Sequence, residues 1–393
     1  MAILIPSREL SFGIAVKLIV PALYLCLFFD LFAGFFLGVN FEKIMEKYPH
    51  LLIILPGLMG LRGNIFGSLC SRLSTAFYLG SSTPTLKDVY VYKNALFSIW
   101  ASTIPVLILL IIGYAKLHEV ETFLASVQIS LTSGVLIGIF LSFASVIIVS
   151  ISFRKSVDPD SISGPIITSI ADIVTVPSLI ILILLFESGA IFLPLIFSLI
   201  ILLLSLLLSF KREYLKIYRE VVLIVSTLAV FQSFTGSFLE EFSEVVYLSI
   251  FMSFAYPSIL DNLGNYGSIM VARTATKLNL GEIEKGSIGE AMEDAKYILP
   301  TSLLVFPFIS FMPIAISYFV LDIVILNPIP ILIFFLSYVF LVFLILLIAF
   351  YLGFLLYNLK IDPDNGGIPL VTTIADFFGT IYAVAIAYLF ISV

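Results

Sequence analysis

Charged residues are scarce in this chain of 393 residues, since Asp, Glu, Lys and Arg together make up 12% of it. Histidine and cysteine occur twice each. Both cysteines, Cys26 and Cys70, fall in predicted helices and are expected to be small buried thiols, so no disulfide framework or metal-thiolate site is indicated. Because 61% of the residues are hydrophobic, the composition excludes an ordinary soluble globular protein and predicts an integral membrane protein.

Long hydrophobic segments take up most of the chain. Eleven of them can cross a hydrocarbon layer about 30 Å thick. They lie at about 12–39, 50–78, 92–115, 125–152, 163–187, 191–209, 219–238, 246–276, 296–323, 329–357 and 367–391. The first is too long and too rich in glycine for a cleavable signal sequence. The predicted fold class is an all-α integral membrane protein, with no loop long enough to fold as a soluble domain.

Basic residues are concentrated in alternate loops. If the N-terminus is cytoplasmic, the inner segments hold thirteen of the twenty: Arg8, Lys87, Lys93, Arg154, Lys155, Lys211, Arg212, Lys216, Arg219, Lys277, Lys285, Lys296 and Lys360. The outer loops hold Lys43, Lys47 and Lys116 beside an acidic cluster at 240–244. Because positive residues mark cytoplasmic loops, this bias predicts a multi-pass cell-membrane protein with its N-terminus inside and its C-terminus outside.

A polar pattern occurs twice, once in each half of the chain. Residues 56–75 read PGLMGLRGNIFGSLCSRLST, and 201 residues later, at 257–276, the chain reads PSILDNLGNYGSIMVARTAT. A second pair, Asp-Pro-Asp followed by Pro, Thr and Asp, begins at residue 158 and again at residue 362. Unpaired polar groups are costly in hydrocarbon, so these duplicated patterns indicate a cavity or pathway rather than a lipid-facing surface.

The duplication divides the chain into two five-helix units, at 1–190 and 211–393, joined by a linker helix at 191–210. Five helices end on the side opposite to their start, so one additional helix is needed to make the two units parallel. The sequence therefore predicts two parallel repeats with a pore at a pseudo-two-fold axis along the membrane normal. The linker, rich in Leu, Ile and Ser, suits a lipid-facing position.

The last helix of each unit carries an aspartate deep in the hydrocarbon. Thr168 and Asp172 share one helical face, and Thr372 and Asp376 repeat this arrangement. Asp172 lies roughly 13 Å beyond the inner interface at 1.5 Å per residue. A hydrogen-bonded packing aspartate is the simpler alternative, but the duplication favours a shared role in binding an ion.

Four further carboxylates precede these two helices, at Asp158, Asp160, Asp362 and Asp364. Such residues commonly cap helix N-termini and complement the helix dipole. The alternative is that all four gather at one mouth of the pore once the halves pack together. They are then expected to form a cytoplasmic vestibule for cations.

An asparagine lies at a comparable depth in the second segment of each unit. By the same rise, Asn64 is roughly 21 Å from the outer interface, near the depth of the intramembrane aspartates. Glycines at 60, 63 and 67 surround it, which by themselves usually indicate helix packing. Because the Gly-Asn pair recurs at Asn265, the pattern is better interpreted as a pore wall.

Two aspartates and two asparagine amides around an axis form an all-oxygen site with a formal charge of −2. Hard dications prefer such ligands, and Mg²⁺ is typically held by one or two carboxylates while it keeps several waters. Mg²⁺ is therefore predicted as the transported substrate, with Ca²⁺ and Mn²⁺ left open, and no bound cofactor is predicted.

Two acidic residues lack an acidic counterpart in the other half. The residue nearest to the counterpart position of Asp30 is Gln232, and Asp261 corresponds to Gly60. These asymmetric carboxylates are candidates for a coupling ion, Na⁺ or a proton, although simple polar contacts are an equal alternative.

Two arginines, Arg72 and Arg273, lie near the cytoplasmic ends of their helices. They are expected to be structural, either snorkelling to lipid phosphate or pairing with the Asp-Pro-Asp carboxylates.

At these motifs the chain resembles the MgtE-type magnesium transporters, and more closely the solute carrier family 41 branch in which two such units are fused. The resemblance implies a pore between the halves, Mg²⁺ as substrate, and a central cation site at Asp172 and Asp376 with Asn64 and Asn265 nearby. The second half departs from the pattern at 272–276 and at Asp261, so equal roles for the halves are not implied. Bacterial relatives carry cytoplasmic magnesium-sensing domains with no counterpart here, and a monomer is the expected working form.

Several functional alternatives stay open from the sequence. No nucleotide-binding motif is visible, so either a passive channel or a Na⁺-coupled Mg²⁺ exchanger is predicted rather than a pump. An intramembrane aspartyl protease also needs two membrane aspartates. The Gly-x-Gly-Asp motif of that family is missing, since alanine precedes both Asp172 and Asp376. The chain is therefore not predicted to be an enzyme.

Overall fold

A computed structural model describes residues 12–78, 80–155, 159–280, 283, 287–321, 328–359 and 363–391. These residues form thirteen α-helices and one short 3₁₀ turn at Arg212–Tyr214, and no strand occurs among them. The helices are α1 (Phe12–Lys47), α2 (Pro49–Tyr78), α3 (Val89–Ala101), α4 (Thr103–Leu117), α5 (Val120–Arg154), α6 (Pro159–Glu187), α7 (Phe192–Ser209), α8 (Leu215–Glu241), α9 (Ser243–Leu248), α10 (Ile250–Leu280), α11 (Ile288–Leu321), α12 (Pro328–Asn358) and α13 (Pro363–Ile391).

Ten helical stretches in the described ranges are long and apolar enough to cross a membrane. α3 and α4 together make one of them, Val89–Leu117. The remaining predicted segment, at about 246–276, corresponds to α10, which has sufficient length at 31 residues but is interrupted by Asp261, Asn262 and Asn265. The prediction of an all-α integral membrane protein is thus confirmed.

The break between α3 and α4 falls at Ser102. Pro105 lies four residues after Ala101 and has no N–H to donate to the Ala101 carbonyl. The proline ring also crowds that carbonyl, so a continuous helix is disfavoured at this point. The chain nevertheless continues in the same span, which keeps α4 close to α2 and α8.

Ion pairs at the helix ends define one face of the molecule. Lys43 near the end of α1 contacts Glu187 at the end of α6, with 2.6 Å between nitrogen and oxygen. Lys116 near the end of α4 contacts Glu240 at the end of α8 at the same distance. His50, which follows α1 directly at the start of α2, interacts electrostatically with Glu240 and so joins the two pairs. The carboxyl ends of these four helices therefore lie on one side, so α1 and α8 run in the same direction.

The opposite face is defined by a second set of contacts. Arg273 in the last turns of α10 pairs with Asp294 in the first turns of α11 at 2.8 Å. Lys93 near the start of α3 donates to the carbonyl oxygens of Leu208 and Phe210 at the end of α7. The distribution of basic residues predicts that all of these helix ends lie on the cytoplasmic side of the membrane.

The first helix of each half packs against the other half. α1 contacts α10 and α11, and α8 contacts α2 and α4. At both crossings a glycine allows backbone contact, because a Cβ on Gly34 would overlap the carbonyl oxygen of Phe254 and a Cβ on Gly236 would overlap that of Ile53. The two halves are interlocked in the same manner from both sides.

The linker helix α7 lies at the periphery. Its buried residues are three serines, Ser198, Ser205 and Ser209, while its leucines and isoleucines are mostly exposed. It rests on α3 and α5, and the Trp100 indole N–H donates to Ser209 Oγ at 2.9 Å. An outer surface made almost wholly of aliphatic side chains suits contact with lipid tails.

Candidate functional site

Three carboxylates from three helices meet in the interior of the protein. Asp30 lies on α1, Asp172 on α6 and Asp261 on α10, so residues from both halves contribute. One oxygen of each lies within 4.8 Å of the others. Their exposed fractions are 0%, 3% and 9%, which places the group away from solvent. We refer to these residues as the triad.

The triad is poorly supplied with hydrogen-bond donors from the described residues. Neither carboxylate oxygen of Asp30 accepts a hydrogen bond from an N–H or O–H group, and the same holds for Asp172 Oδ1; the Asp30 carboxylate instead faces that of Asp261. Asp261 is better satisfied, because Asn265 Nδ2 donates to its Oδ2 at 2.6 Å. Buried carboxylates at this separation repel one another strongly when ionised, so the group requires a cation or protons for neutralisation.

Asp376 has a different environment from the triad. The side-chain amide of Gln232 on α8 donates a hydrogen bond to Asp376 Oδ2. Gly60 on α2 faces this pair, and a Cβ there would lie 2.5 Å from Asp376 Oδ2 and 3.1 Å from Gln232 Nε2. Asp376 interacts electrostatically with Asp172 but does not belong to the triad.

Asn64 and Thr372 meet across the boundary between the halves. Thr372 Oγ1 donates to Asn64 Oδ1 at 3.2 Å and also approaches the carbonyl oxygens of its own helix. A cavity of about 20 Å³ lies beside Asn64, between Ser68, Pro369 and apolar residues of α8. Such a cavity has room for about one water molecule.

The two threonines predicted as site residues also serve helix packing. Thr168 contacts α2 at Gly63, where a Cβ would lie 2.8 Å from its methyl group. Thr372 contacts α10 in the corresponding way at Gly264, with a distance of 3.4 Å. The absence of a Cβ at both glycines lets α2 approach α6 closely and lets α10 approach α13 closely.

Arg62 is a functional candidate that the sequence reasoning did not single out. It is 2% exposed, and its guanidinium donates to Thr175 Oγ1 at 2.8 Å and to Ser133 Oγ at 3.2 Å. It also lies close enough to Asp172 to interact with it electrostatically. The available signal was a lone basic residue within an apolar helix, where Leu263 stands at the aligned position of the second half.

The Asp-Pro-Asp motifs fall at the limits of the structure. Asp158 and Asp362 lie outside the described residues, and Asp160 and Asp364 lie in the first turns of α6 and α13, with side chains outside the described set. The cytoplasmic vestibule stays a prediction.

The two helix-end arginines have partners other than these motifs in the described part of the chain. Arg72 donates to Ser68, Asn94 and Ser98, and Arg273 pairs with Asp294. Both contacts tie neighbouring helices together on the face opposite to Glu187 and Glu240.

A bundle of membrane-spanning helices around buried carboxylates is characteristic of ion transport proteins, in which such residues mark ion pathways. The MgtE family model, described as a divalent cation transporter, matches residues 55–182 and 256–386, more than half of the chain. The chain belongs to this family, which confirms the resemblance noted in the sequence. The family is one of transporters rather than enzymes.

Curated relatives match only part of this chain and part of their own length. Solute carrier family 41 member 2 of Homo sapiens is 28% identical over 180 residues, covering 43% of this chain and 30% of that protein. The Xenopus laevis protein of the same name is 27% identical over 181 residues, covering 43% and 31%. The chain thus matches less than a third of the length of these curated relatives. No solved structure matches the chain significantly.

Proposed function

We propose that this protein moves Mg²⁺ across the membrane along the boundary between its halves, with Asp172 as a central ligand. The observation that carries the proposal is the triad, in which carboxylates of α1 and α6 in the first half meet one of α10 in the second. Membership of a divalent cation transporter family supports the substrate class, and the chemistry of the ligands supports the hard dication.

The ligands that meet at the triad are all carboxylate oxygens. Oxygen ligands favour Mg²⁺, Ca²⁺ and Mn²⁺ over softer metals. Mg²⁺ gives up its water reluctantly and is commonly bound through one or two carboxylates with several waters retained. A buried acidic group with few protein donors suits that mode of binding, because retained waters donate to the carboxylate oxygens.

The helix contacts support a two-unit organisation with the ion path between the units. Corresponding helices run in the same direction, and the crossing of α1 with α10 has its counterpart in the crossing of α8 with α2. The contact of Asn64 with Thr372 brings the two halves together near the acidic residues. We therefore place the polar wall of the path on α2, α6, α10 and α13.

The conformation described here is closed around the acidic residues. Asp30, Asp172, Asp261 and Asp376 are each at most 9% exposed. An ion therefore reaches them only when helices separate. Such opening is compatible with both a gated passive channel and a Na⁺-coupled exchanger.

The proposal is tested by Mg²⁺ uptake into proteoliposomes, with and without an opposing Na⁺ gradient. Asp172→Asn is expected to lower the initial rate at least about tenfold, because it removes a charged ligand, and tenfold corresponds to only about 1.4 kcal/mol. Glu220→Gln, the same acid-to-amide change at an exposed position on α8, is the matched control and is expected to keep the wild-type rate.

Each outcome of this experiment has a definite meaning. Uptake that depends on Asp172 supports the proposal, and its dependence on Na⁺ assigns coupled exchange rather than passive flow. Folded protein without Mg²⁺ uptake under any gradient overturns the proposal. Wild-type uptake by Asp172→Asn overturns the assignment of the central ligand.

A further inference from the structure

The residues aligned with the triad in the other half also meet one another. When the duplicated motifs are superimposed in sequence, Asp172 corresponds to Asp376 and Asp261 to Gly60, and the residue of α8 nearest to the counterpart of Asp30 is Gln232. In the structure, Gln232 donates to Asp376, and Gly60 faces both of them. The protein therefore contains two corresponding three-helix junctions, one on α1, α6 and α10 and one on α8, α13 and α2.

The two junctions differ sharply in charge. The first brings together three carboxylates, whereas the second contains one carboxylate with an amide donor bound to it. The nearby guanidinium also belongs to the first junction, since Arg62 interacts with Asp172 while the aligned residue is Leu263. Three negative charges and one positive charge give the first junction a formal charge of −2, which one dication balances.

We infer that only the first of the two junctions binds an ion. Asp30, Asp172 and Asp261 bind one divalent cation there, whereas at the second junction the amide of Gln232 takes the place of a cation at Asp376. The inference deepens the proposed function and rests on it for the identity of the ion. The environment of Asp30 is a second observation in support, in addition to the grouping of the three carboxylates. Asp30 is fully buried, and its carboxylate faces that of Asp261 while neither of its oxygens accepts a hydrogen bond from an N–H or O–H group of the described residues.

The dimensions of the triad are compatible with a bound dication. Two ligands on opposite sides of an ion are separated by twice the bond length, about 4.1 Å for Mg²⁺ and about 4.9 Å for Ca²⁺. The triad oxygens lie within 4.8 Å of one another. These separations admit one dication bound to the three carboxylates, either directly or with a ligand bound through water.

The second junction lacks the means to bind an ion in the same way. Its Asp376 oxygen already accepts a hydrogen bond from Gln232, and the Gln232 amide nitrogen is a donor that repels cations. A carboxylate at the position of Gly60 would displace the Asp376 side chain, because a Cβ there would lie 2.5 Å from Asp376 Oδ2. Asp376 thus shapes the path and its potential without a cation of its own.

Manganese binding to the full-length protein in lipid nanodiscs tests the inference directly. Mn²⁺ is the probe, because the electron paramagnetic resonance signal of the free ion is lost on binding, and Mg²⁺ is the competitor. For the tightest Mg²⁺-displaceable Mn²⁺ site, Asp30→Asn and Asp261→Asn are each expected to raise the Kd at least tenfold. Asp376→Asn is expected to change that Kd by less than about threefold, and Glu220→Gln serves as the acid-to-amide control.

If the two junctions share one symmetric site, Asp376→Asn raises the Kd for Mn²⁺ at least as much as Asp30→Asn does. Equal weakening by Asp30→Asn and Asp376→Asn, or wild-type affinity in both triad variants, would overturn the inference. Asp30→Glu is the second variant, since it keeps the carboxylate and is expected to keep Mn²⁺ binding within about tenfold of wild type, which separates loss of charge from misfolding.

The inference and the proposed function fail in different ways. Mg²⁺ uptake that requires Asp172, together with unchanged Mn²⁺ affinity in Asp30→Asn, removes the inference and leaves the transport proposal intact. Mn²⁺ binding that depends on Asp30 and Asp261, together with no uptake under any gradient, removes the transport proposal and leaves the site intact.

Discussion

A single aligned position shows how the halves of this protein differ. Gly60 on α2 leaves space for Asp376 and Gln232, whereas Asp261 at the aligned position on α10 fills the equivalent space with its own carboxylate. The exchange of glycine for aspartate at this aligned position therefore alters both the charge and the packing of a junction.

Arg62 sets the charge of the acidic site from a distance. Its guanidinium donates to Thr175 and Ser133 rather than to a carboxylate, and it interacts electrostatically with Asp172. A positive charge near a cation site weakens binding of the cation. In the proposed cation site, Arg62 is expected to lower the affinity for the ion and so to favour its release.

We expect Arg62→Gln to tighten Mn²⁺ binding at the triad severalfold. Glutamine still donates a hydrogen bond to a neighbouring hydroxyl, but the formal charge at the site falls from −2 to −3. The control is Arg72→Gln, because Arg72 contacts Ser68, Asn94 and Ser98 and leaves the triad unchanged. Weaker Mn²⁺ binding in Arg62→Gln, in protein that is folded, would contradict this account.

The helices α1 and α8 depend on close backbone contact with the opposite half. Gly236 on α8 packs directly on the carbonyl oxygen of Ile53, and Gly34 on α1 packs on that of Phe254. A Cβ at either glycine forces the helices apart. Since each first helix belongs to one half and packs on the other, these crossings hold the two halves together.

We expect Gly236→Ala to destabilise the protein by about 1–3 kcal/mol, the usual cost of overpacking a filled interior. The measurement is thermal unfolding in detergent, where a clear decrease in Tm is expected. Gly67→Ala is the matched control, because a Cβ there meets nothing within 4 Å and alanine is the better helix former. Equal Tm values for the two variants would refute the importance of the crossing.

The polarity of α10 follows from its position among other helices. It packs on α1, α11, α12 and α13, and nearly all of its residues from 250 to 267 are buried. A hydropathy criterion assumes lipid around a helix, so it fails for a span enclosed by protein. The polar residues of α10 serve the site instead, with Asn265 bound to Asp261.

At the scale of the whole molecule, the contacts at the helix ends define two faces. Glu187 and Glu240 lie on one face, and Asp294 lies on the other. The excess of basic residues in alternate loops predicts that the first of these faces is extracellular. The fold sets the directions of the helices relative to one another, whereas the charges of the loops predict which face of the protein is extracellular.

Labelling of cysteines introduced one at a time into exposed loops tests the predicted orientation. Ser188→Cys lies in an exposed turn after α6, and Ser81→Cys lies in the exposed connection between α2 and α3. We expect an impermeant maleimide to label Ser188→Cys in intact cells and Ser81→Cys only after permeabilisation. The unsubstituted chain is the control, because Cys26 and Cys70 are buried. The reverse pattern would show that the protein has the opposite orientation.

Much of the site was predictable from sequence, but its grouping was not. The sequence indicates Asp30, Asp172, Asp261 and Asp376 as candidates, and it predicts that Asp172 and Asp376 form a pair. The structure brings Asp172 together with Asp30 and Asp261, bonds Asp376 to Gln232, and keeps Asp172 and Asp376 close enough to interact electrostatically. Repeated motifs identify equivalent positions, but they do not reveal which side chains converge from helices far apart in sequence.

The sequence by itself determined the class of the protein, the helices and the polar residues within them, because hydrophobic length and periodicity are local properties of a chain in lipid. It also determined the family, through the motifs at 56–75 and 257–276. Only the tertiary structure decided that α1 and α8 cross into the opposite halves, that Arg62 lies beside Asp172, and that one junction is acidic while its counterpart is satisfied by an amide. These features depend on the packing of helices more than a hundred residues apart, where the presence or absence of a single Cβ decides which groups meet.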